Sequence, residues 1–233
     1  MIKRSSRPIL CYVTDRRGAP GATANSDSTS LLSAVIERAI AAGVDWTQVR
    51  EKDLDARPLE NLVRTAVKIN AGRARIFVND RLDIALASDT DGVHLGENSL
   101  PAAGVAAWRA GAGRPNFTIG VSCHSPEAVR AAEDAGADYI FFGPIFATPS
   151  KASFGPAQGV ERLRAACRGA RIPVLAIGGI TESNAVECLA AGAAGIAAIR
   201  MFQDEGDLAG IVSRLHALKS ARAKNNFGEE TSR

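Results

Sequence analysis

Cysteine is scarce in this sequence, and what there is lies scattered. Four residues in 233, Cys11, Cys123, Cys167 and Cys188, form no C-x-x-C pair. That spacing excludes a zinc ribbon and a disulfide framework, and it predicts reduced, mostly buried thiols in a cytoplasmic protein. Long apolar runs are lacking as well. No stretch approaches the ~18 residues of a membrane-spanning helix, and the basic N-terminus has no apolar h-region, so no membrane partner is expected. Charge of one sign is in short supply: the net charge is +3, with part of the excess in the tails "MIKRSSR" and "LKSARAKNNFGEETSR". This argues against nucleic acid as a partner and leaves anionic small molecules. No linker or composition break divides the chain, which points to one domain.

What the chain has instead is an alternation counted to eight. Short β-rich runs stand at 9–15, 45–51, 75–80, 92–96, 118–123, 139–145, 173–179 and 195–201, with helical patterns between them. Several joints, such as "AAGVDWTQV", "DAGADYIFF" and "AAGAAGIAA", pass from helix through glycine straight into a strand. Glycine accepts the left-handed helix stop, and the next residues enter the sheet. Alternating strands and helices imply parallel pairing through crossovers. Eight units in this length fit an α/β fold of the single (β/α)8 TIM-barrel type, with a doubly wound open sheet as the alternative. The reading gives residues 1–8 as an N-terminal arm, 9–218 as the barrel and 219–233 as a polar, frayed tail.

In such a barrel all strands end at one face, where an active site belongs. Strand 2, "WTQVREKD", places Gln48, Arg50 and Lys52 on one side by its two-residue period. The other strand ends bring complementary groups: Asn79 and Asp80 after strand 3, His94 with Glu97 and Ser99 around strand 4, Ser122 and His124 after strand 5. The loop after strand 6 carries Thr148, Ser150 and Lys151. Gly178 and Gly179 follow strand 7 ahead of a helix capped by Thr181 or Ser183, and Arg200 ends strand 8. A Gly-Gly turn with the helix start behind it favours an anion, and Arg200 offers a charge-assisted contact beside it. Arg50, Lys52 and Lys151 form a second cationic group, with Asp80 suited to Mg2+, which takes carboxylate, water and phosphate oxygens. Two anion sites across one mouth imply two phosphorylated small-molecule substrates. Each residue alone also has a plain structural reading: Asp80 as a helix cap, the glycines as a tight turn, His94 or His124 as a hydrogen-bonded core histidine.

The motifs "QVREK", "VND", "DGVHLG", "GVSCHS", "DYIFFGPIFATPSK" and "LAIGGI", in this order from about residue 10 to about residue 205, resemble the thiamine-phosphate synthase family. That family is a (β/α)8 barrel joining an aminopyrimidine pyrophosphate to a thiazole phosphate. The resemblance implies that Gln48, Arg50, Lys52 and Asn79 grip the pyrimidine pyrophosphate and that Asp80 ligates Mg2+. It implies that Ser122, Thr148, Ser150 and Lys151 complete that pocket, and that Gly178 and Gly179 hold the thiazole phosphate. Lys52, Ser122, Lys151 and His124 are then the catalytic candidates.

Three positions depart from the synthase pattern. Arg81 and Ser99 stand where synthases usually carry further acids near the metal, and Arg200 stands where they have a small residue. "NDR" and "CHS" are closer to a sister branch, a metal-free thiazole tautomerase that uses a histidine, here His124, as proton shuttle. A binder of thiazole phosphate or thiamine phosphate without turnover is the third reading. Assembly into a homo-oligomer is left open.

Overall fold

The computed structural model describes residues 7–23, 27–148, 157–204 and 206–219. Eight parallel strands close into a barrel in chain order: β1 (Ile9–Val13), β2 (Trp46–Val49), β3 (Arg75–Asn79), β4 (Gly92–Leu95), β5 (Thr118–Cys123), β6 (Tyr139–Phe142), β7 (Val174–Ile177) and β8 (Gly195–Ala198). β1 pairs with both β2 and β8, which completes the ring and discards the open-sheet alternative. The helices return the chain outside it: α1 (Ser28–Ala42), α2 (Ala56–Asn70), α3 (Leu82–Ala87), α4 (Ala102–Gly111), α5 (Pro126–Asp134), α6 (Gly159–Gly169), α7 (Glu182–Ala190), α8 (Arg200–Gln203) and α9 (Leu208–Ala217). None of the described helices is long and apolar enough to cross a membrane.

The two-residue period sorts every strand into two faces. Residues such as Leu10, Ile76, Val78, Val93, Ile140 and Val174 face outward into the large helix-covered core. The alternate positions fill the barrel interior with Cys11, Val13, Trp46, Phe77, Tyr139, Phe141, Leu175 and Ala197. Trp46, Phe77 and Tyr139 meet edge-on or tilted, with centroids 4.8–5.3 Å apart. Room for Tyr139 comes from Gly120 on the adjacent strand, where a Cβ would lie 2.1 Å from the tyrosine ring. The four cysteines are all buried and none forms a disulfide, as their scatter implied.

The strands are shorter than the β-rich runs. Pairing ends at Val49, Asn79 and Ala198, so Arg50, Lys52 and Asp80 belong to the turns above the barrel. Arg200 is corrected most clearly. Ile199 already has φ −93° and ψ −79°, so Arg200 opens the short α8 instead of ending β8. The sequence pattern also gave no sign of α8 or of the 3-10 turn at Arg16–Gly18. At the opposite, N-terminal end of the barrel, Asp45 gathers the Leu10 N–H at 2.9 Å, Arg7 at 2.5 Å and His216 at 2.9 Å. His216 is thereby a tie between α9 and the barrel floor, far from the strand ends. Most of the arm and almost all of the tail expected at the termini lie outside the described residues.

Candidate active site

Two adjoining clefts open at the C-terminal ends of the strands. The smaller, of ≈ 170 Å³, is lined by Gln48, Arg50, Lys52, Asn79, Asp80, Ser122 and His124, with His94 at its floor and Glu97 and Ser99 on its rim. The larger, of ≈ 750 Å³, is lined by Thr148, Gly178, Gly179 and Arg200. Ile177 and Ile199 line both and form their common wall. The polar row of β2 therefore does converge with the ends of β3 and β5. Ser150 and Lys151 lie outside the described residues.

Thr148 lines the larger cleft and not the smaller one that holds Gln48, Arg50 and Asn79, with which the resemblance grouped it. The cause is the loop after β6, which Ile145 and Phe146 tie to Ile177 and Gly178 by N–H···O bonds of 3.0 Å. The same loop packs on the glycine turn. Gly178 and Gly179 have φ +98° and +66°, and a Cβ on Gly178 would come within 2.6 Å of Pro144. Only glycine meets both demands. The helix start behind them is closed by its own residues, however. Thr181 and Asn184 form a reciprocal capping box, and Glu182 puts a carboxylate in the first turn of α7, which makes this helix start a poor seat for an anion.

Behind the cationic row stands a buried carboxylate. Glu51 accepts from the Thr14 hydroxyl at 2.6 Å and from the Arg16 N–H at 3.1 Å. The Thr14 oxygen in turn accepts the Arg50 N–H at 2.9 Å. Burial raises the Glu51 carboxyl above its ordinary range, an effect opposed by Thr14 and Arg16. Arg16 forks onto Asp53 at 2.5 and 2.8 Å, and this hydrogen bonding holds Asp53 far below the usual carboxylate range. The backbone that presents Arg50 and Lys52 is thus clamped from its outer side.

Around Asp80 the chain turns tightly. Asp80 adopts φ +68°, its N–H donates to the His94 carbonyl at 2.8 Å, and its carboxylate makes no hydrogen bond among the described residues. It is not the helix cap, a place Arg81 takes without a capping side chain. Arg81 instead pairs with Asp83 through two bonds of 2.9 and 2.6 Å, which hold its guanidinium charged, and it does not line the cleft. Ser99 closes the turn after β4 by accepting the Gly96 N–H at 2.7 Å. Among the described residues no group of three His, Cys, Asp or Glu side chains could hold a metal alone. Magnesium needs fewer, since one or two carboxylates with substrate phosphates suffice.

Both mouth histidines are engaged. His124 Nδ1 bonds the Gly143 carbonyl, so it carries the proton there, and Nε2 faces Glu97 at 3.9 Å. His94 is buried, with Nδ1 3.0 Å from the Tyr139 hydroxyl and Nε2 2.9 Å from Ser122 Oγ. Gln48 donates to Asn79 Oδ1 at 3.2 Å. Sequence reasoning placed His94 near the site without assigning it a task, and it missed Thr14, Ile177 and Ile199. The inward parity that His94 shares with Gln48, Asn79 and Ser122 was the signal available for its role.

A parallel eight-stranded barrel with a glycine-walled cleft and a cationic cleft side by side at the strand ends has the architecture of the (β/α)8-barrel enzymes, whose active sites lie at this face. The chain belongs to the thiamine monophosphate synthase family, whose model matches residues 21–202. It is 42% identical over 187 residues to the thiamine-phosphate synthase of Methanocella arvoryzae, covering 78% of this chain and 85% of that one. A Geobacter sulfurreducens protein provisionally named a thiamine-phosphate synthase is 49% identical over 191 residues, 82% of this chain and 84% of its own. The solved thiamine phosphate pyrophosphorylase of Pyrococcus furiosus superposes with a TM-score of 0.74 at 32% identity, covering 90% of this chain and 98% of that one.

Proposed function

We propose that this transferase couples an aminopyrimidine pyrophosphate with a thiazole phosphate, giving thiamine phosphate and pyrophosphate. The observation that carries the reading is the pair of clefts meeting at Ile177 and Ile199. The glycine turn and Arg200 take the thiazole phosphate, Thr148 lines the same cleft, and Arg50, Lys52 and Asn79 take the pyrophosphate. Gln48 and Ser122 hold the pyrimidine between them. The bond from the pyrimidine methylene to oxygen breaks with its electron pair leaving on pyrophosphate, and the thiazole nitrogen lone pair closes the new C–N bond. Arg50 and Lys52 stabilise the charge that builds on the leaving group, and the common wall keeps water from the cationic carbon. Ser150 and Lys151 are assigned to the same pyrophosphate pocket by the family pattern alone.

The residues present fit Mg2+: Asp80 offers an uncommitted rim carboxylate where a pyrophosphate would supply the remaining oxygens. Bound there, the ion would neutralise charge on the leaving group. We place the reaction in the cytoplasm, in keeping with four buried cysteines that form no disulfide.

His124 supports a second reading. Its proton is held on Nδ1 by Gly143, which leaves Nε2 as a base toward the cleft, as a metal-free thiazole tautomerase requires. One assay separates the two. Purified protein with both substrates and Mg2+, followed by oxidation, should give thiochrome fluorescence that EDTA removes. No fluorescence, with a working synthase succeeding in the same mixture, would transfer the assignment to His124 and the tautomerase.

A further inference from the structure

The hydroxyl of Tyr139 is sealed inside the barrel among Trp46, Phe77 and Phe141. Among the described residues its hydrogen-bonding partner is His94 Nδ1, at 3.0 Å. A phenol O–H in such surroundings must donate, because an unmatched buried polar hydrogen is strongly disfavoured. Nδ1 is therefore the acceptor, and the ring proton of His94 belongs on Nε2. A proton on Nδ1, whether alone or in addition, would set two hydrogens against each other and leave the tyrosine proton without an acceptor.

The consequence passes one bond further. Nε2–H donates to Ser122 Oγ at 2.9 Å, and among the described residues His94 is the only partner of that hydroxyl. With its oxygen already accepting from below, Ser122 has its own proton left for the cleft that it lines. We propose that Tyr139 and His94 are positioning residues that fix Ser122 as a hydrogen-bond donor toward substrate. The proton of Ser122 then meets an acceptor on the substrate, a pyrimidine ring nitrogen or a pyrophosphate oxygen. This deepens the synthase reading and rests on it for the identity of the substrate.

The first test needs no substrate. The protein has three histidines, so ring-15N labelling with long-range proton–nitrogen correlation resolves them, and His94→Gln assigns the signal. The expected pattern is the Nε2–H tautomer with Nδ1 unprotonated; Nδ1–H, or protons on both nitrogens, overturns the proposal. The second arm compares His94→Gln, whose amide can still donate to Ser122, with His94→Leu, which cannot. The leucine variant should lose about 10²-fold in kcat/KM, in the range seen when one preorganised donor is removed, and glutamine should recover most of it. Equal losses in two folded variants would reduce His94 to a packing role and overturn the relay. A wild type that makes no thiamine phosphate sinks the synthase reading instead, and the ring-nitrogen pattern then decides the relay by itself.

Discussion

Lys52 stands exposed on the rim two positions beyond Arg50, where a leaving pyrophosphate would pass. Nothing in the fold depends on its ammonium, so its removal reads out chemistry with little loss of stability. Lys52→Ala should lower coupling by about 10²- to 10³-fold, the scale of a lost transition-state contact. His124→Ala should lower it only a few-fold by the same argument. Steady-state kinetics on both variants checks this, and the reverse ranking would count against the synthase assignment. The thiols make the opposite case, residues whose burial silences them. Burial pushes Cys123 and Cys188 up to about 12, and Cys11 higher still. At pH 8 a thiol of that pKa is thiolate in about one part in 10⁴, so Cys11, Cys123 and Cys188 should resist an aromatic disulfide reagent in the native protein and react rapidly in denaturant. These groups ionise near 9.0 when unfolded and near 12 when folded. Their contribution is complete below pH 9 and is lost as pH rises toward 12, which predicts alkaline destabilisation in a denaturant titration.

At the scale of elements, the turns above the strands decide what each side chain can do. The turn after β4 is held by Ser99 on Gly96, and an aspartate can accept the same N–H while facing the cleft. Ser99→Asp should therefore keep the turn and lower the Mg2+ concentration needed for half-maximal coupling. An unchanged requirement would place residue 99 away from the metal. The turn after β3 gives Arg81 a partner outside the cleft: Asp83, two positions further on, takes its charge. Glycine does the equivalent work after β7, where positive φ and the overlying loop both exclude a side chain. The capping box of Thr181 and Asn184 then fixes where α7 begins, and so where the glycine turn must end.

For the whole molecule, closure of the barrel brings β8 beside β1, with β7 next to β8, and sets Ile177 and Ile199 between the two clefts. If the reacting carbon and the thiazole nitrogen meet at this wall, a larger side chain there should separate them without emptying either cleft. Ile199→Phe should leave the affinity for each ligand nearly unchanged while turnover falls about 10²-fold, the penalty of an ångström-scale misplacement. Calorimetry for binding and thiochrome formation for turnover test this together. Turnover at the wild-type rate would remove the wall from the mechanism.

The alternation of strand and helix, the glycine joints and the polar row of Gln48, Arg50 and Lys52 were legible in the chain, because period and turn chemistry are local properties. The barrel class and most of the residues at its mouth follow from them, Asp80, Ser122 and His124 included. Local pattern also located His94, but it could not distinguish a core histidine from a relay, since that depends on Tyr139 two strands away across Gly120. Nor could it place Thr148 against the glycine turn, neutralise Arg81 on Asp83, or put Arg200 on a helix. The Arg81 and Arg200 outcomes turn on local backbone at the strand ends, which side-chain period does not report. The places of Thr148 and Tyr139 depend on contacts between residues distant in sequence, and those exist only once the barrel has closed.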